Sequence, residues 1–190
     1  MPTLITDANW ASVGRSRLQY LGWTRPDILD VAIKVEPGHR YIFDGYTNRL
    51  VRGHYLSTLE QAVRFRHVIY AEGWCGWADR LKTLLLFNST IFLQQTPCRE
   101  YYQDLMKAYV HYVPVDGRFR KLEDRIEWAK KHRLAAEQIA SNAIEMAEKY
   151  LSEDSIKCYL DMVFAKYSSL FRDNIQQPHR GTIWTPEGMA

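Results

Sequence analysis

The residues best placed to do chemistry in this chain lie in the run Tyr70-Ala71-Glu72-Gly73-Trp74-Cys75-Gly76-Trp77-Ala78-Asp79-Arg80-Leu81-Lys82. An apolar segment leads into a stretch broken by two glycines, and Arg80 and Lys82 follow where a helix should begin. A strand, a turn and a helix in that order make a site for a phosphate. The first amides of the helix have no partner within it, they point into the loop, and the helix dipole favours an anion there. Gly73 and Gly76 carry no side chain to block a ligand, and Arg80 offers a forked cation that matches a pyrophosphate. Each neighbour also has a plainer reading. Asp79 beside Arg80 is expected to cap the helix or pair with the arginine. Trp74 and Trp77 are expected to pack on the sheet, with stacking on a base or sugar as the alternative. Lys82 reads as a helix-surface residue. Glu100, between a strand and a helix, suits either a cap or a hold on ribose hydroxyls. His111 opens an expected strand and reads first as a structural imidazole, second as a ligand contact.

These groups need a framework, and the apolar pattern provides one. Strands are expected at His67–Glu72, Thr90–Gln94 and His111–Val115, with helices from about Gly76 to Phe87 and Arg99 to Lys107 between them. Such alternation predicts βαβ units and a parallel sheet. Upstream, Leu18 and Leu21 give Arg15–Trp23 helical spacing, and Pro26 resets the backbone before a first strand through Ile28, Leu29, Val31 and Ile33. Ser57-Thr58-Leu59-Glu60 has the form of a capping box and predicts a helix to about Arg66. The final third is helical throughout. Leu122, Ile126 and Ala129 recur at three- and four-residue spacing, as do Ile139, Ala143 and Ala147, and Glu127–Lys131 and Glu145–Lys149 read as surface pairs. A last helix, about Glu153 to Arg172, carries the stripe Tyr159, Met162, Val163, Tyr167 and Leu170. The expected organisation is an extension over residues 1–14, one α/β domain over 15–173 and a flexible tail over 174–190.

Composition narrows the classes. A chain of 190 residues with 46% hydrophobic residues has enough interior for one substantial core. The net charge of +3 gives no case for nucleic acid, yet does not oppose an anionic small ligand. No apolar run approaches the roughly 18 residues that a membrane span needs, and no secretory signal is visible at the start. Cys75, Cys98 and Cys158 are odd in number and widely spaced, which predicts reduced or buried thiols. The histidines show no metal-ligand spacing, so no metal or other cofactor is expected.

Several segments, in order, carry a likeness: Arg15 followed by Pro26 and Ile28-Leu29-Asp30; His67-Val68-Ile69-Tyr70 before Glu72-Gly73; Arg80-Leu81-Lys82 leading to Leu84-Leu85 and Asn88-Ser89; Glu100-Tyr101-Tyr102 and Leu105; His111-Tyr112-Val113-Pro114-Val115; and Ile126-Glu127-Trp128-Ala129. Together they resemble the Rumi-like protein O-glucosyltransferases and capsule-associated xylosyltransferases of glycosyltransferase family 90. The resemblance implies a Rossmann-like, three-layer fold with a parallel sheet, the donor half of a two-domain GT-B transferase. It also implies binding of a UDP-sugar, UDP-glucose or UDP-xylose, by Arg15 and the loop from Gly73 to Arg80: Gly73, Trp74, Cys75, Gly76, Trp77, Ala78, Asp79 and Arg80. Ala78 stands where the family's loop usually has a serine. Inverting transfer to a hydroxyl of a protein or glycan follows by resemblance, as does a place in the secretory pathway, in the endoplasmic reticulum or Golgi lumen. The family's general base belongs to an acceptor half that nothing in this chain resembles. A binding module without catalysis is therefore the alternative. The stripe of the last helix reads first as core, but the missing half also predicts that part of it is exposed.

Overall fold

The computed structural model describes residues 14–31, 62–72 and 80–170. The chain divides after Leu151 into two units. In the first, a parallel sheet of β1 (His67–Tyr70), β2 (Thr90–Gln94) and β3 (Val113–Val115) has the order β1-β2-β3. His67 is paired with Thr90 and Tyr70 with Leu93, while Phe92 is paired with Val113 and Gln94 with Val115. Helix α1 (Gly14–Thr24) precedes the sheet, α2 (Arg80–Leu84) joins β1 to β2, and a 3-10 turn over Tyr101–Leu105 lies between β2 and β3. Helices α3 (Leu122–Lys131) and α4 (Arg133–Tyr150) follow.

Four of the five residues of β2 are buried and only the last, Gln94, is half-exposed. An unbroken apolar run suits a parallel strand covered on both faces. Successive side chains do serve two cores. Ile91 and Leu93 join Val68, Tyr70, Leu81 and Leu85 on one side, whereas Phe92 joins Val113, Val115, Leu18, Leu122 and Ile126 on the other. Phe92 is fully buried, and burying a side chain of that size contributes roughly 1.5–3 kcal/mol. Helix α4 reaches both cores, Ala136 and Ile139 in one and Ala143, Met146 and Ala147 in the other. The Thr90 hydroxyl, buried at the start of β2, donates to the Ala136 carbonyl at 2.9 Å and ties sheet to helix.

The strand expected at Ile28–Ile33 is not formed over its described part. Ile28 and Leu29 donate instead to the Arg25 carbonyl at 3.2 and 3.0 Å, because the chain leaves α1 through a turn. Arg25 fastens that turn by pairing with Asp27 and with Glu123 of α3. Residues 32 and 33, the connector and most of the helix expected from Ser57 lie outside the described residues. β3 starts at Val113 rather than His111, since the His111 amide is spent on the Lys107 carbonyl at 2.9 Å. The helix expected over Arg99–Lys107 is the short 3-10 turn. At Glu127 the ion pair is with Lys130, three residues on, at 3.5 Å.

In the second unit, α5 (Glu153–Ser168) begins at Ser152, whose hydroxyl accepts from the Ser155 amide at 3.3 Å. No residue of α5 is buried, and Met162, Phe164 and Tyr167 are each more than half exposed. The stripe is exposed rather than core, which matches the second of the two expectations. Among the described residues no helix is long and apolar enough to cross a membrane.

Candidate functional site

The carboxyl ends of parallel strands are where open α/β sheets bind ligands, and here the two arginines picked out from the sequence meet the end of β1. Arg15, in the first turn of α1, donates from Nε to the Glu72 carbonyl at 3.0 Å. Arg80, at the start of α2, donates from Nη2 to the carbonyl of the preceding residue, Ala71. Its guanidinium also lies over the Tyr70 ring, 5.3 Å from the centroid, a contact in which the ring's negative face meets the cation. Consecutive carbonyls thus orient two cations that are far apart in sequence. Arg15 is exposed, and its two terminal nitrogens have no partner among the described residues. Tied at Nε alone, that fork is ready for an oxyanion.

Beneath the arginines is a polar framework. The Tyr70 hydroxyl donates to the buried Glu72 carboxylate at 2.9 Å; burial, then this carboxylate, push the phenol well above its usual pKa. The Glu72 amide donates to Gln94 Oε1 at 2.8 Å, and Gln94 Nε2 donates to the Gly117 carbonyl at 2.7 Å. One side-chain amide therefore connects the ends of all three strands. Beyond β3, Asp116 gathers its own loop, accepting from the amides of Arg118 and Arg120 at 3.0 and 2.8 Å and from Arg120 Nε at 3.1 Å. Burial alone would raise its pKa, but these donors outweigh burial and lower it. A shallow cleft of about 30 Å³ opens beside this framework, lined by Tyr70, Glu72, Gln94, Thr96, Cys98 and Arg99 among others. Its volume suits about one water molecule.

The model of the glycosyl transferase family 90 matches residues 12–190, nearly the whole chain. The chain belongs to glycosyl transferase family 90. Protein O-glucosyltransferase 2 of Danio rerio is 31% identical over 107 residues, covering 56% of this chain and 21% of that protein. The O-glucosyltransferase rumi homolog of Aedes aegypti is 29% identical over 123 residues, or 64% and 30% of the two chains. An uncharacterized protein of Invertebrate iridescent virus 3 is 29% identical over 177 residues, 87% of this chain and 16% of that one. The matches therefore cover between 16% and 30% of these relatives' lengths.

Within this family 90 chain the sequence-derived site residues are placed unevenly. Arg15 and Arg80 bond to adjacent carbonyls at the end of β1; Gly73, Trp74, Cys75, Gly76, Trp77, Ala78 and Asp79 lie outside the described residues. Glu100 stands at the start of the 3-10 turn, where its amide donates to Gln103 Oε1 at 3.2 Å, and so sits where the capping alternative put it. His111 lies before β3, at the amino end of the sheet, away from the arginines. Its Nδ1 accepts from the Lys107 amide at 3.0 Å, and burial lowers its pKa. The cysteine expectation needs correction: Cys98, on the lip of the cleft, is in a disulfide. Spacing along the chain hid this, because the pairing depends on which loops the sheet brings together. Cys158 is free and exposed; the one other cysteine, Cys75, lies outside the described residues. Gln94 and Gly14 were not singled out, and Glu72 was read as the end of a strand and part of the likeness, without a role of its own. Gln94 did leave a signal, as the one polar residue ending an apolar strand.

Proposed function

We propose that this chain is the donor-binding, Rossmann-like half of a GT-B glycosyltransferase that holds UDP-glucose or UDP-xylose for inverting transfer to a hydroxyl of a protein or glycan. The observation that carries the reading is the anchoring of Arg15 and Arg80 on adjacent carbonyls at the carboxyl end of β1. When a sugar leaves its nucleotide, negative charge grows on the diphosphate, and preorganised cations stabilise it without moving at the moment of reaction. In this proposal the guanidiniums meet that charge, with no metal assigned a role. A general base for the acceptor hydroxyl is also required, and the proposal leaves it to an acceptor half. The names of the relatives support glucose as the sugar, and the Cys98 disulfide supports an oxidising compartment such as the secretory lumen.

Titration calorimetry with UDP tests the reading. The folded chain is expected to bind, and Arg15→Ala and Arg80→Ala are each expected to weaken binding by about tenfold or more, the size of one charge-assisted hydrogen bond. A folded chain that gives neither heat nor thermal stabilisation with UDP ends the proposal.

A further inference from the structure

We propose that Gln94 is a positioning residue for the donor site, acting through Arg15; this rests on the donor-binding reading above. Arg15 takes its aim from the Glu72 carbonyl, so its guanidinium goes where the backbone at the end of β1 goes. Up to Tyr70 that backbone is fixed by the pairing of β1 with β2, and just beyond it by Gln94 of β2, whose Oε1 accepts from the Glu72 amide at 2.8 Å. The other end of the same side chain donates to the Gly117 carbonyl at 2.7 Å, beyond the end of β3. An N–H on one side and a C=O on the other fix the orientation of the amide, and no other side chain of this length offers both an acceptor and a donor.

Helix α1 is seated on the same bond. A Cβ on Gly14 would lie 2.6 Å from both Gln94 Nε2 and the Gly117 oxygen, so the backbone just before Arg15 rests directly on the Gln94–Gly117 contact. Gln94 thus sets both ends of the Arg15 arm: where its helix begins, through Gly14, and where its Nε docks, through Glu72. A residue whose role was only to join strand ends would affect stability alone. One that aims Arg15 must affect anion binding, and more strongly while Arg15 is present.

The test is a double-mutant cycle on the full chain, with UDP as the titrant and each variant measured below its own unfolding temperature. Gln94→Met keeps the length and removes both hydrogen bonds. It is expected to weaken UDP binding by about tenfold with Arg15 present and by only about threefold in the Arg15→Ala background, where the Ala71–Glu72 peptide that anchors Arg80 still loses its support. Equal losses in both backgrounds overturn the role of Gln94 and leave the donor site standing. A wild-type chain that binds no UDP overturns both. Should Gln94→Met fail to fold, amide exchange of the wild-type chain decides: the Glu72 amide is expected to exchange slowly and more slowly still with UDP, and fast exchange that UDP does not change overturns the proposal.

Discussion

Gly14→Ala provides a sharp test of the site's construction, because helix propensity and packing predict opposite signs. Gly14 opens α1, and alanine in place of glycine within a helix normally stabilises by up to about 1 kcal/mol. Here the added methyl would sit 2.6 Å from Gln94 Nε2, 2.6 Å from the Gly117 oxygen and 3.3 Å from Phe119 Cε2. None of these yields easily: Gly117 contributes backbone, Gln94 is bonded at both ends, and Phe119 is fully buried. Overpacking of this kind costs about 1–3 kcal/mol. From the middle of that range, about 2 kcal/mol, the full helix gain of about 1 kcal/mol is subtracted, which leaves a net loss of about 1 kcal/mol, or a fall in Tm of roughly 2–4 °C for a chain of this size. Differential scanning calorimetry measures it, and UDP affinity should fall with it as α1 lifts from its seat. An unchanged or raised Tm would refute the close packing of α1 on the Gln94–Gly117 bond.

Two further outcomes are expected. His67 is half-buried, edge-on to Phe92 at 5.8 Å, and its Nδ1 has no hydrogen-bond partner among the described residues; burial, with help from Arg66 and Lys130, lowers its pKa below 6.5. The unfolded chain therefore binds more protons just below that pH, so stability is full above about 6.5 and declines as pH falls through the window beneath it. Thermal melts from about pH 7.5 to 5.5 should show Tm falling, and less steeply in His67→Phe; equal slopes would assign the effect elsewhere. For the cysteines, iodoacetamide on the native, unreduced protein should modify Cys158 and spare Cys98, which becomes labelled only after reduction. Peptide mass mapping reads this, and native labelling of Cys98 would rule out its disulfide.

What the sequence made legible follows from how local each decision is. β2 was readable to the residue, because an apolar run between Asn88-Ser89 and Gln95-Thr96-Pro97 has one way to be buried. The apolar spacing of Leu122, Ile126 and Ala129 showed a helix there but not its ends, which the structure sets at Leu122 and Lys131, with an acidic first turn and a basic last turn that suit the helix dipole. Ile28, Leu29 and Val31 misled because apolar residues in close succession fit a strand and a buried turn equally well. Leu29 is buried, but its amide bonds back to Arg25. Hydropathy shows that a residue goes inside; it does not show where its amide hydrogen bond goes.

The site divides along the same line. Arg80 was picked out by a local cue, glycines ahead of an expected helix start, and it does open α2. Arg15 was reached through resemblance alone, since nothing near it in sequence marks it; its meaning comes from the Glu72 carbonyl, which only the closed sheet brings within reach. Gln94 and Gly14 stayed hidden for a further reason. Each does its work through an atom with no pattern in the sequence, a side-chain amide between two peptide groups and a methyl group that is not there. A site that grips an anion with arginines also needs groups that hold those arginines still, because a free guanidinium on an exposed stem loses much of its binding energy to the entropy of being ordered. The glutamine spanning the strand ends and the glycine seated on it meet that requirement.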